Sequence, residues 1–183
     1  LHYSAIFVFV QNPGGSQITI NNIAVQNTSL HNADIVHTVE SLPGSSSLLV
    51  IEYSTFDFVN ASGTIETLAN PFGFAHNDNF DITMNNCTFS NFETQISPFL
   101  YTDNTGSINM NNCSFDSISN NDYNAVIFLE NPTDFSIVNA SFTDIGTEYD
   151  IYGNANSTIE ECTWDHFATN QEISTNLEPN TCT

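Results

Sequence analysis

Ile82-Thr-Met-Asn-Asn-Cys-Thr-Phe89 and Ile108-Asn-Met-Asn-Asn-Cys-Ser-Phe115 decide how this chain folds, because the two octets agree at six of eight positions. Phe135-Ser-Ile-Val-Asn-Ala-Ser-Phe142 and Ser157-Thr-Ile-Glu-Glu-Cys-Thr-Trp164 keep the pattern. Leu49-Val-Ile-Glu-Tyr-Ser-Thr-Phe56 and Ile18-Thr-Ile-Asn-Asn-Ile-Ala-Val25 are weaker copies. The final residues Val25, Phe56, Phe89, Phe115, Phe142 and Trp164 are separated by 31, 33, 26, 27 and 22 residues. One short unit returning at such intervals means a solenoid whose loops absorb the variation.

Within each octet the apolar period is two, the signature of strands. Ile82 and Met84 point one way and Thr83 the other. Asn85-Asn86 interrupts the alternation before Cys87 and Phe89 resume it inward, and Asn suits such a break because it tolerates left-handed backbone. In-register stacking would place Asn22, Asn86, Asn112 and Asn139 on one edge, where their amides can bond from coil to coil. Ile23, Ser54, Cys87, Cys113, Ala140 and Cys162 would form an inward column, five of them small, as a tight corner requires. Further strands are expected before the octets at Ile6–Val10, Ile35–Val39, Pro98–Tyr101, Ala125–Leu129 and Asp150–Tyr152. A third apolar element follows the aromatic at Phe92, Ile118, Ile145 and Phe167. Helical periodicity is absent. A β-sandwich would not explain matching octets at coil-sized intervals.

These octets resemble coils of the right-handed parallel β-helix, pectate-lyase-like superfamily, especially the non-catalytic repeats of surface proteins with Asn-Asn-x-x-Phe corners. The resemblance covers about residues 5–168 and implies an all-β, right-handed parallel β-helix of about six coils. The domain reading is a β-helix over 1–168 and a tail over 169–183. Lyases of that superfamily use Lys or Arg against a uronate, and this chain has neither. The clustered aspartates and Arg-x-Lys of its polygalacturonase-like hydrolases are also missing. Asp57, Asp116 and Asp165 share one outward position, but Asp57 and Asp116 would stand two coils apart, about 10 Å, too far for a retaining carboxylate pair. No enzymatic role is expected.

The charge narrows the partners. With 21 acidic residues and no Lys or Arg, the formal net charge is −21. Nothing can replace the counterions of a phosphate backbone, so nucleic acid is excluded as a partner. The longest apolar run, Ala5–Val10, has six residues, far below the roughly 20 of a membrane-spanning helix. The same composition removes every tryptic site, which suits an extracellular or cell-surface setting. The chain does not begin with Met and carries no basic leader, and is read as a processed chain or an excised domain.

The four cysteines lack CxxC spacing, which argues against zinc. Cys87 and Cys113 are either a disulfide between adjacent coils or buried thiols, and Cys162 with Cys182 is the more plausible bridge. The histidines show no paired spacing, and no metal site is expected. Calcium is a minor option through loops such as His76–Asn79 and Ser119–Asp122. Six sequons, at Asn27, Asn60, Asn86, Asn112, Asn139 and Asn156, make covalent N-glycans the expected modification. Asn86, Asn112 and Asn139 occupy one corner of three consecutive coils, so glycan and amide ladder compete for them. Unpaired strand edges at the two ends, with the apolar strand Ala5–Val10 uncapped, point to end-to-end contacts with copies of itself or neighbouring domains. The expected function is a structural glycoprotein of an extracellular filament, sheath or surface appendage. The alternative is an adhesin or carbohydrate-binding module presenting Tyr and Trp faces to glycans.

Overall fold

The structure is a computed structural model. It describes residues 4–10, 16–31, 33–39, 47–62, 72–74, 80–94, 99–102, 106–120, 125–129, 134–147, 149–153, 156–165 and 171–173. Cys182, Phe167 and the loop 76–79 lie outside them.

Strands follow one another in threes. The first sets are β1 (Ser4–Val10), β2 (Ser16–Asn21) and β3 (Ala24–His31), then β4 (Ala33–Val39), β5 (Ser47–Glu52) and β6 (Thr55–Ser62). Next come β7 (Phe72–Phe74), β8 (Phe80–Asn85) and β9 (Thr88–Thr94), then β10 (Leu100–Thr102), β11 (Ser107–Asn111) and β12 (Ser114–Asn120). The last are β13 (Ala125–Leu129), β14 (Asp134–Val138) and β15 (Ser141–Thr143), then β16 (Tyr149–Gly153), β17 (Asn156–Glu160) and β18 (Thr163–Asp165), with β19 (Gln171–Ile173) beginning another set. No helix occurs among the described residues.

Every third strand pairs in parallel, giving sheets in the orders β1-β4-β7-β10-β13-β16-β19, β2-β5-β8-β11-β14-β17 and β3-β6-β9-β12-β15-β18. The protein is therefore all-β, with three parallel sheets in stacked layers, an arrangement compatible with a parallel β-helix. The octets pair in register as their likeness predicts: Ile82 with Ile108, Met84 with Met110, Phe89 with Phe115. The seventh strand of the first sheet, β19, comes from the stretch 169–183 expected as a tail and pairs with β16.

The interior is made of columns, one residue per layer. Leu49, Ile82, Ile108 and Phe135 form one, and Ile51, Met84, Met110, Ile137 and Ile159 the next, all at most 1% exposed. Phe56, Phe89, Phe115, Phe142 and Trp164 stack face to face with centroid separations of 5.4, 5.1, 4.7 and 4.5 Å. The facing sheet contributes Phe72, edge-on to Phe56 at 5.1 Å and to Phe89 at 5.4 Å. Such offset and edge-on pairs add to the burial term along this seam.

Candidate functional site

The outward surface is built from side-chain ladders hung on a repeated corner. Asn22, Tyr53, Asn86, Asn112, Asn139 and Glu161 all have left-handed backbone, with φ of 50–54°. At the first five of these the N–H donates to the next layer, as from Asn86 to the Asn111 carbonyl at 2.9 Å. Two residues after each of the last five the N–H donates to the preceding layer, as from Thr88 to the Ser54 carbonyl at 3.0 Å. The chain turns inward without losing its ladder of backbone bonds. Asn fills most of these positions because its short amide offsets the cost of the left-handed region.

The expected amide row is present over Asn86, Asn112 and Asn139 but does not include Asn22, which Tyr53 separates from Asn86 and whose side-chain amide donates to Asn21. Asn112 Nδ2 donates to Asn86 Oδ1 at 2.6 Å, and Asn139 Nδ2 to Asn112 Oδ1 at 3.1 Å. A second row runs one residue earlier, with Asn85 Nδ2 donating to Glu52 Oε1 at 3.1 Å and Asn111 Nδ2 to Asn85 Oδ1 at 3.2 Å. Asn112→Ala is expected to cost about 1–2 kcal/mol, chiefly through the left-handed backbone. Asn112→Gly keeps the backbone and loses only the exposed amide bonds, so its cost stays below about 1 kcal/mol. Urea denaturation of the two variants separates the terms; equal losses would mean that the backbone is not the larger one.

A second left-handed column, not anticipated from the sequence, interrupts the third sheet at Asn27, Asn91, Ser117 and Asp144, with φ of 50–54°. Asp57 lies beside it and accepts from Ser90 Oγ and Asn91 Nδ2, both at 2.8 Å. In the register, Ser90 stands between Asp57 and Asp116, and Thr143 between Asp116 and Asp165. Asp57 and Asp116 are thus two layers apart, and Asp57 is bonded as a ladder acceptor. Among the described residues no three His, Cys, Asp or Glu converge on a point where they could hold a metal.

The sequons fall on different surroundings. Asn27 is exposed, and Asn60 is exposed with Nδ2 donating to Glu93 Oε2 at 3.1 Å. Asn86, Asn112 and Asn139 form the exposed corner row. Asn156 begins β17, and its side chain lies outside the described residues.

Cys87, Cys113 and Cys162 occupy the expected small inward column beside Ser54 and Ala140, all buried. Cys87 and Cys113 are unbridged thiols in adjacent layers. Cys87 Sγ reaches the Ile51 and Asn85 carbonyls at 3.4 Å, and Cys113 Sγ those of Met84 and Asn111 at 3.5 Å. The hydrogen bond between the two thiols lowers the pKa of Cys87 and, together with burial, raises that of Cys113. Cys162 Sγ is 3.4 Å from the Glu160 carbonyl.

The first sheet carries a half-exposed aromatic stripe outside, Tyr101 stacked on Phe128 at 5.9 Å and Phe128 on Tyr152 at 5.4 Å. Faces turned toward one another present edges to solvent. Trp164 likewise lays one face on Phe142. Tyr53 differs: it is 58% exposed at the corner.

No family model, curated protein or solved structure matches the chain. The site must therefore be read from its own geometry.

Proposed function

We propose that this chain is a right-handed parallel β-helix of about six coils serving as a structural extracellular glycoprotein, a protomer or segment of a filament, sheath or surface appendage that joins end to end. The right hand is the one favoured by the crossover preference of parallel strands. The observation that carries the reading is the continuity of the columns to an incompletely covered first layer. Ile18, Ile23 and Val25, inward residues of β2, the corner and β3, are only half-buried, although Ile20 and Leu30 of the same layer are buried. Their counterparts two layers on, Ile82, Cys87 and Phe89, are at most 1% exposed. At the other end Ile159 and Cys162 are buried and Trp164 is half-buried, so the first layer is the more open joint. Its occupant would be another copy or a neighbouring domain continuing the coils.

The reading assigns no catalytic role. Carboxylates on the outer columns serve as ladder acceptors: Asp81 Oδ1 takes the Ser107 N–H at 2.9 Å and its hydroxyl at 2.7 Å. An adhesin is the second reading, favoured by exposed Tyr53 alone.

Sedimentation velocity tests the joint. At about 0.15 M salt, where the Debye length is about 8 Å and a charge of −21 is partly screened, the wild type is expected to grow in mass with concentration. Val25→Asp puts a carboxylate on the open layer and should hold the chain monomeric with unchanged circular dichroism. A wild type monomeric at every concentration, with a glycan ligand in its place, would support the adhesin.

A further inference from the structure

Tyr53 stands in a slot that the chain otherwise gives mostly to Asn. Its φ is 50°, and its ring lacks the short polar group that makes Asn tolerable in the left-handed region. It is also the large hydrophobic side chain most exposed among the described residues, at 58%. Backbone strain combined with an exposed ring directs attention to what the ring could receive.

The next layer supplies a candidate. Asn86 opens the sequon Asn86-Cys87-Thr88, and the Tyr53 N–H donates to the carbonyl of the preceding residue, Asn85, at 3.0 Å. The amide row has a direction: Asn139 donates to Asn112, and Asn112 to Asn86. The nitrogens of Asn112 and Asn139 are engaged within the row. Asn86 Nδ2 has no acceptor among the described residues, and the direction of the row turns it toward the layer of Tyr53.

We propose that Asn86 is the glycan-bearing residue of the stacked row, and that Tyr53 is the platform on which its first sugar lies. The proposal rests on the glycoprotein reading above. Attachment joins Nδ2 to C1 of a glycosyl diphosphate donor supplied by the secretory host; one Nδ2 proton leaves, and the departing diphosphate takes the C1–O bonding pair. The layers lie about 4.8 Å apart, so a pyranose on Nδ2 reaches the neighbouring ring. Its C–H face then meets the negative face of the phenol. A second glycan on Asn112 would crowd into the same spacing and compete with the bond to Asn86, so the row carries one.

The test is site-resolved mass spectrometry of the full chain secreted from a eukaryotic host, followed by trimming with an endoglycosidase that leaves one sugar. Asn86 should be occupied, with Asn112 and Asn139 below about a tenth of its occupancy. The one-sugar form should melt roughly 2–4 °C above Thr88→Val, a shift typical of a modest stabilisation in a domain of this size. Thr88→Val removes the sequon at an exposed position while keeping Asn86 in its left-handed corner. That gain should vanish in Tyr53→Gly, a substitution the left-handed corner accepts and one that adds no sequon ahead of Ser54-Thr55. A chain bare at every sequon overturns the glycoprotein reading and this proposal together. Sugar at Asn27, Asn60 or Asn112 with Asn86 bare overturns the proposal and leaves that reading standing. A gain that survives Tyr53→Gly removes the platform.

Discussion

Phe115→Ala is expected to destabilise the protein by about 3–5 kcal/mol, at the upper end for a core truncation. Phe115 is fully buried between two rings, Phe89 at 5.1 Å and Phe142 at 4.7 Å, nearly parallel to both. Phe99 meets it edge-on at 5.9 Å. Truncation removes three aromatic contacts, each worth about 0.5–1.5 kcal/mol beyond area burial, and leaves a cavity in the middle of a column. Ordinary cores recover part of such a loss by collapse. Here the layers are held at their spacing by parallel backbone bonds on all three sheets, so Phe89 and Phe142 cannot close the gap without breaking register. Phe115→Leu refills much of the volume and should recover about half the loss. Val25→Ala, in the same column but half-buried at the open layer, should cost less than about 1.5 kcal/mol. Guanidinium unfolding followed by near-ultraviolet circular dichroism measures all three; a Phe115→Ala loss as small as that of Val25→Ala would contradict the stacked column.

The contrast between those two positions explains what was legible in the sequence. The octets announced the second and third sheets because alternation, corner and aromatic all lie within eight consecutive residues. Ile82, Met84, Cys87 and Phe89 are inward as the period of two requires. The Asn row was legible for the same reason. β7 was not anticipated: Phe72-Gly-Phe74 is too short to show a period, and it is a strand because β4 and β10 flank it. β19, at Gln171–Ile173, is likewise defined by β16. The second left-handed column escaped because its residues vary, Asn27, Asn91, Ser117 and Asp144, so identity carries no repeat. What they share is a place two residues after the stacked apolar residue, at Val25, Phe89, Phe115 and Phe142. Tyr53 was visible in its octet as a mismatch to Asn86 and Asn112. Only the backbone angle reveals the strain of that substitution.

Gly153→Ala is expected to be the most damaging addition of a single methyl group, costing about 1–3 kcal/mol for a backbone region essentially reserved to Gly and about 1–3 kcal/mol more for overpacking. Its φ is +151°, and a Cβ would lie 2.1 Å from the Leu129 carbonyl oxygen, 2.7 Å from Leu129 Cβ and 2.9 Å from its carbonyl carbon. Leu129 is the register partner of Gly153 at the ends of β13 and β16. The obstacle is backbone, so no rotamer change relieves it. Relief requires β16 to move away from β13, which weakens the pairing of Ile127 with Ile151, both fully buried. Gly146→Ala is the matched control: its Cβ would meet Ser119 Cβ at 3.3 Å, a contact that a shift of a few tenths of an ångström accommodates, and its cost should stay within about 1 kcal/mol. Hydrogen exchange resolves the effect by segment. In Gly153→Ala the amides of 125–129 and 149–153 should lose protection together, while those of Ser107–Asn111 stay protected. That pattern would show that a glycine near the end of one strand sets the approach of a strand 24 residues earlier. Unchanged protection at both segments would mean that the two strands do not meet at Leu129 and Gly153, and that the register of the first sheet is set elsewhere.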